Sequence, residues 1–202
     1  MQFICNLGFT EEFIHHTKLS YAKSIEINES FWRNRLLFPI YQEHNLVGYE
    51  GRSYTGDPKK VLYHKGCRVG SIYNLDNINP EEMVYVTEGI KGLSRVWINL
   101  SKNVVSTFGA ALTSVQKATL ANFPKLCFII DNDKAGHKMI KDFDDSAKRE
   151  FYVAIPEKEG ADPWDCSKEE LIYITDKKVK YIDYLLDNSA LFEKETIQWN
   201  FF

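Results

Sequence analysis

The stretch Phe128-Ile-Ile-Asp-Asn-Asp-Lys-Ala-Gly136 (FIIDNDKAG) runs three apolar residues straight into two carboxylates set one residue apart, with a glycine close behind. The apolar run begins at Leu126 and has the length of a strand covered on both faces. A strand can stop at any polar residue. Two acids this close repel one another unless a cation stands between them. Behind them, Ala135, Met139, Ile140, Phe143 and Ala147 fall on one face of a helix. The acids therefore sit at a strand-to-helix junction.

The same alternation extends on both sides. Met83–Thr87 reads as a buried strand, followed by a helix over 90–98 with Leu93 and Trp97 on one side. Asn103–Phe108 is a second strand. Thr113-Ser-Val-Gln116 fits a capping box that opens a helix to about Phe123. Leu126–Ile130 is the third strand, Phe151–Ile155 the fourth, and Ser167-Lys-Glu-Glu170 a further capping box. Strands alternating with helices imply parallel units joined by right-handed crossovers. The expected fold class is α/β, a mostly parallel central sheet flanked by helices and preceded by a small mixed α+β subdomain.

In such sheets ligands gather at the carboxyl ends of the strands. Glu88 follows the first strand, Asp131 and Asp133 the third, and Asp162 lies beyond the fourth in Gly160-Ala-Asp-Pro163. If the first and third strands are neighbours, three carboxylates meet at one rim. Each fragment alone is an ordinary turn or cap. Together they form a set of hard oxygen donors suited to Mg²⁺ or Mn²⁺. Gly89 and Gly136 leave room for a substrate beside the backbone.

The first part of the chain differs. A helical lead-in is expected around Glu11–His16, then irregular structure to residue 30. Residues 34–53 read as strand, turn, strand, with Pro39 marking an edge or a bulge. Gly48 and Gly51 in the returning strand suggest close backbone approach. Phe31–Gly70 holds seven Lys/Arg against three acids, a local +4, whereas residues 81–202 hold 16 basic and 20 acidic residues, a local −4. A basic section beside an acidic one fits phosphates, though on charge alone two solvated surfaces are the readier reading.

Other classes are excluded or left unsupported. Cys5, Cys67, Cys127 and Cys166 form no ligand pair, so neither zinc nor a disulfide framework is expected, and Cys127 reads as a small buried hydrophobe. No apolar run approaches the ~20 residues of a membrane span. Residues 1–13 lack the pattern of a signal peptide. A cytoplasmic protein without a membrane partner is expected. Trp32, Trp97, Trp164 and Trp199 are expected to pack rather than stack on bases, and His137 to be a surface residue.

Glu88-Gly89 and Asp131-Asn132-Asp133 resemble the glutamate and DxD motifs of the Toprim domain, shared by primases, topoisomerases, nucleases and recombination proteins. Asn103–Thr113 resembles the segment between them. Arg35-Leu-Leu-Phe-Pro-Ile40 and Val47-Gly-Tyr-Glu-Gly-Arg52 are similar to the signature that precedes Toprim in bacterial and bacteriophage (DnaG-type) primases. Lys60-Val-Leu62, Ile72-Tyr-Asn-Leu75 and Gly160-Ala-Asp-Pro163 resemble the motifs that follow. The resemblance covers about two thirds of the chain.

It implies a nucleotidyltransferase, a DNA-directed RNA polymerase of the primase type, that builds short RNA primers on single-stranded DNA from ribonucleoside triphosphates. Asp131, Asp133 and Asp162 would bind two or more Mg²⁺ or Mn²⁺ ions. Glu88 would bind metal or help deprotonate the 3′ hydroxyl. Arg35, Arg52, Lys60 and Lys65 would hold nucleotide or template. The implied organisation is a basic α+β subdomain over 1–80, a Toprim domain over 81–166 and a helical extension over 167–202. Gly92 stands where the family often has a further acid, and Trp164 interrupts the last acid pair. No zinc-binding module is expected before residue 31 and no helicase-binding domain after residue 187. A replicative helicase or a separate zinc-binding template reader is then the expected partner, in a bacterium or a phage-infected host. The alternatives are a Toprim-type metal-dependent nuclease and a non-catalytic Toprim nucleic-acid-binding protein.

Overall fold

A computed structural model describes residues 1–68, 70–143 and 150–189. One helical turn, α1 (Gln2–Cys5), precedes α2 (Glu11–Thr17). The Thr10 hydroxyl caps α2 by accepting the N–H of Phe13. The next segment is a strand, β1 (Ser20–Ile27), where the sequence reading expected irregular structure. Only Ile27 of this edge strand is buried, and although Ser24-Ile-Glu-Ile27 alternates, Lys23 breaks the pattern after Tyr21 and leaves the signal short.

β1 pairs with β2 (Ser30–Gln42), which pairs with β3 (Asn45–Ser53), which pairs with β4 (Val61–Tyr63), all antiparallel. Glu43 and His44 join β2 to β3 with positive φ at both positions, as a tight two-residue hairpin requires. The Asp76 carboxylate accepts both their N–H groups, at 3.1 and 2.7 Å. Pro39 lies in an interior strand opposite Tyr49, not on an edge, and the register shifts between Ile40 and Tyr41. The expected bulge is there, one residue beyond the proline. The glycines of β3 do permit close approach: a side-chain carbon on Gly51 would stand 2.5 Å from the Trp32 ring, and one on Gly48 2.8 Å from Cys67 Cβ.

A 3₁₀ turn (Leu75–Asn77) leads into β5 (Val84–Thr87), α3 (Ile90–Asn99), β6 (Val104–Ser106) and α4 (Ser114–Leu120). Then come β7 (Lys125–Ile129), α5 (Lys134–Asp142), β8 (Glu150–Ala154), α6 (Lys168–Asp176), β9 (Val179–Lys180) and α7 (Tyr181–Asp187). The second sheet has the order β6-β5-β7-β8-β9, with the first four strands parallel and β9 an antiparallel edge. Both expected capping boxes form, at Thr113/Gln116 and Ser167/Glu170. α4 stops at Leu120, short of Phe123, and α5 at Asp142; Ala147 lies outside the described residues. The segment after Ser167 is not helical throughout, since β9 joins the sheet.

Period-two burial explains the apolar central strands. Val84, Val86, Leu126 and Phe128 face a core built with α5 and α7 through Met139, Ile140, Tyr181 and Tyr184. Cys127 and Ile129 face the other way, into a core of Phe9, Phe13, Phe38, Leu93 and Trp97. That second core joins α2 and the antiparallel sheet to α3, so the first sheet is packed against the strand ends of the second. Trp32 and Trp97 are buried, and half-buried Trp164 packs on Phe9. These three pack as expected; Trp199 lies outside the described residues. Among the described residues no helix is long and apolar enough to cross a membrane.

Candidate active site

β5 and β7 are adjacent and parallel, with Thr87 opposite Ile129. Glu88 and Asp131 therefore leave neighbouring strand ends on the same side of the sheet. The Asp131 N–H donates to Glu88 Oε1 at 3.1 Å. Burial, then the neighbouring Asp131, pushes the Glu88 carboxyl up to about 8. Burial, then Asp162 and Asp133, pushes Asp131 up to about 7, with Arg52 pulling weakly the other way. The rim thus gathers negative charge that the chain itself leaves largely uncompensated.

Gly136 makes this crowding possible. A side-chain carbon there would overlap the Asp131 carbonyl oxygen and stand 2.8 Å from Glu88 Oε1. Asp133 does double work. Its Oδ1 caps α5 by accepting from Ala135 and Gly136 N–H at 2.8 and 2.9 Å, which leaves Oδ2 outside the cap. Asp162 is arranged alike, with Oδ1 accepting from Trp164 and Asp165 N–H at 2.7 and 3.2 Å. Asn132, between the two acids, ties that last loop down. Its N–H donates to Ala161 O at 2.9 Å, its carbonyl accepts from Gly160 N–H at 2.8 Å, and its amide donates to Pro156 O at 2.8 Å. Reading the sequence singled out the acids and passed over Asn132, whose role depends on contacts about 30 residues away.

The basic residues divide. Arg52, on β3, places Nη2 3.6 Å from where a side-chain carbon on Gly89 would stand, so it faces the turn after Glu88. Its Nε donates to the fully buried Glu50 at 2.6 Å. Arg35 is buried and turned away from the solvent. It donates to the carbonyls of Lys59 and Lys60 at 2.6 and 3.3 Å and pairs with Asp57 at 2.9 Å, bracing the loop before β4. Lys60 and Lys65 are exposed on either side of β4. Arg68 was counted only as local charge, yet it donates to Phe108 O at 2.7 Å and lies 4.6 Å above the Tyr63 ring, beside the β6 strand end. His137 is half-buried, with its Nδ1 against the Tyr184 hydroxyl, rather than a free surface residue.

Among the described residues no three His, Cys, Asp or Glu side chains converge tightly enough to hold an ion by themselves. The donors nevertheless fit Mg²⁺ or Mn²⁺. Mg²⁺ characteristically takes one or two protein carboxylates and completes its shell with water and substrate phosphate. Buried Glu88 and half-buried Asp131, with Asp133 and Asp162 around them, offer oxygen donors only and are short of a counter-charge.

Residues 83–166 match the family described as Toprim-like. This segment is a Toprim-like domain. The chain is 25% identical to a DNA primase of Clostridium acetobutylicum over 94% of its own length and 34% of the relative's. It is 31% identical to the DNA primase of Aquifex aeolicus over 67% and 30%. It spans about a third of the length of these curated relatives. The fold matches the DnaG primase catalytic domain bound to ssDNA, with TM-score 0.75 at 17% identity over 93% of this chain and 74% of that one. It also matches the zinc-binding and RNA polymerase domains of Aquifex aeolicus primase, with TM-score 0.72 at 22% identity over 96% and 59%. The acids singled out in the sequence thus lie just beyond strand ends, Glu88 after β5 and Asp131 and Asp133 after β7. Gly92, in place of a further family acid, stands where a side-chain carbon would touch Pro163 at 3.5 Å.

Proposed function

We propose that the protein is a primase that joins ribonucleotides into short RNA primers on single-stranded DNA. The observation that carries this reading is the meeting of buried Glu88 and half-buried Asp131 at adjacent strand ends, with little positive charge beside them. Phosphoryl transfer asks a protein for positioning and charge neutralisation more than for a nucleophile. Glu88, Asp131, Asp133 and Asp162 would hold two or more Mg²⁺ or Mn²⁺ ions. Such ions, when bound, neutralise phosphoryl oxygens and acidify the attacking hydroxyl. Glu88 would bind metal or help take up the 3′ hydroxyl proton, and Asp133 would keep Oδ2 for a ligand while Oδ1 holds the helix. Arg52 would neutralise the incoming triphosphate. Lys60 and Lys65 would meet template or nucleotide, on a loop that Arg35 fixes from within.

In this reading residues 1–80 supply the basic surface, 81–166 the acids, and 167–202 an extension whose β9 borders the sheet. One solved neighbour is bound to ssDNA and another carries a zinc-binding domain. By analogy, a replicative helicase or a separate zinc-binding protein would bring the template, in the cytoplasm of a bacterium or a phage-infected host. The test supplies single-stranded DNA, labelled ribonucleotides and Mg²⁺ or Mn²⁺, with and without a helicase. New short RNA is the expected product. Shortened DNA would identify a nuclease, and DNA binding without either product a scaffold.

A further inference from the structure

Glu50 lies in the middle of β3 with its side chain fully buried. An ionised side chain in that position is costly unless it is paired. Its cross-strand neighbours are Phe38 on β2 and Tyr63 on β4. Oε1 accepts from Arg52 Nε at 2.6 Å, while Oε2 has no hydrogen-bond partner. Glu50 and Arg52 are two apart on one strand and so share a face. Gly51 between them points to the opposite face, where Trp32 fills the space. Arg52 has Nη2 at the Glu88–Gly89 turn, and its positive charge reaches Asp131. With Nε tethered, the guanidinium keeps its two Nη groups for another ligand, and it is only part-buried.

We propose that Glu50 is a positioning residue. It holds Arg52 in one orientation over the acid rim, so that the free Nη edge of the guanidinium is preset to receive phosphate oxygens of a nucleoside triphosphate. This inference rests on the primase reading of the rim and extends it to a residue that touches neither substrate nor metal. Arginine presents a planar fork, and fixing one edge of it fixes the direction of the other. Losing that preset orientation costs affinity because the side chain must then be ordered at each binding event.

The opposite effect is physically available, which makes the test sharp. Removing a buried negative charge near a phosphate site should tighten binding if charge alone matters. Binding of mant-GTP with Mn²⁺ is measured for the whole chain, for Glu50→Gln, for Glu50→Leu, and for both changes combined with Arg52→Ala. If Glu50 acts by positioning, Glu50→Leu weakens binding by about threefold to tenfold. Glu50→Gln, which keeps an acceptor for Nε, falls between Glu50→Leu and the parent. Neither change has an effect in the Arg52→Ala background, and melting temperatures show each variant folded. Unchanged or tighter binding by Glu50→Leu overturns the inference, as does a loss that persists without Arg52. A parent protein that binds no triphosphate overturns the primase reading as well, so the two failures are distinct.

Discussion

The main-chain N–H of Asp131 donates to Oε1 of Glu88 across 3.1 Å, linking the ends of two adjacent parallel strands. The bond partly offsets the burial of Glu88 but does nothing for the Asp131 carboxylate beside it. The two acids therefore titrate as a coupled pair rather than singly.

That coupling sets a pH dependence for the metal-free protein. Glu88 is raised from 4.5 to about 8 and Asp131 from 3.8 to about 7. Groups raised on folding bind protons more tightly in the folded state. Their contribution is full below their unfolded values and is lost as the pH rises through their folded ones. In EDTA the protein is expected to melt highest near pH ~5 and to lose roughly a few kcal/mol by pH ~9. Added Mg²⁺ should restore stability at the upper end and little at the lower. Calorimetry across this range checks it, and an Asp131→Asn protein with the same slope would contradict the assignment.

Neutralising either acid should separate stability from activity. Glu88→Gln and Asp131→Asn remove like charges held close together in a poorly solvated site. Both variants are expected to melt no lower than the parent at pH ~8 without metal, and to make no primer. Primer synthesis at the parent's rate by either variant would remove that residue from the site.

Gly136→Ala tests why the glycine is there. Alanine is the better helix former by about 1 kcal/mol. Here its side-chain carbon would meet the Asp131 carbonyl, a backbone atom that cannot rotate aside. Urea unfolding is expected to show a net loss of about 1–3 kcal/mol, accompanied by weaker Mn²⁺ binding. A more stable Gly136→Ala protein would mean that the approach of α5 to Glu88 is looser than described.

Much of this was legible in the sequence where local chemistry decides. Apolar runs marked β5, β7 and β8, the Thr113 and Ser167 boxes marked two helix starts, and the acids fell where parallel strands must end. What escaped depends on tertiary contact. β1 is a polar edge strand whose alternation is confined to Ser24–Ile27, and β9 has two residues. Arg35 and Arg52 look alike in sequence, yet one turns inward to Asp57 and the other outward to the rim. Glu50 reads as a solvent-facing charge in an alternating strand, and only the packing of Phe38 and Tyr63 on either side buries it.

Asp133 has a structural role beside its place at the rim, since it caps α5. Asp133→Ala should cost about 1 kcal/mol of stability through the lost cap, whereas Asp133→Asn should keep the cap and lose the metal ligand. Melting curves and primer synthesis together separate the two roles. Equal melting of both variants would show that the cap adds nothing.

Arg35 provides the last test, because its burial gives it a structural role apart from any nucleic-acid contact. Its guanidinium pairs with Asp57 and donates to two carbonyls, while Nε lacks a partner. Removing one member of a well-buried pair typically costs about 3–5 kcal/mol. Asp57 is partly exposed and can be rehydrated, so Arg35→Ala is expected at or below the lower end of that range. Arg35→Lys should recover little, since an ammonium cannot reach Asp57 and both carbonyls with one planar fork. The 57–60 loop should loosen in both variants, read as faster amide exchange at Lys59 and Lys60, and template affinity should fall with it. Weakened template binding with unchanged melting and exchange would instead place Arg35 in direct contact with the nucleic acid.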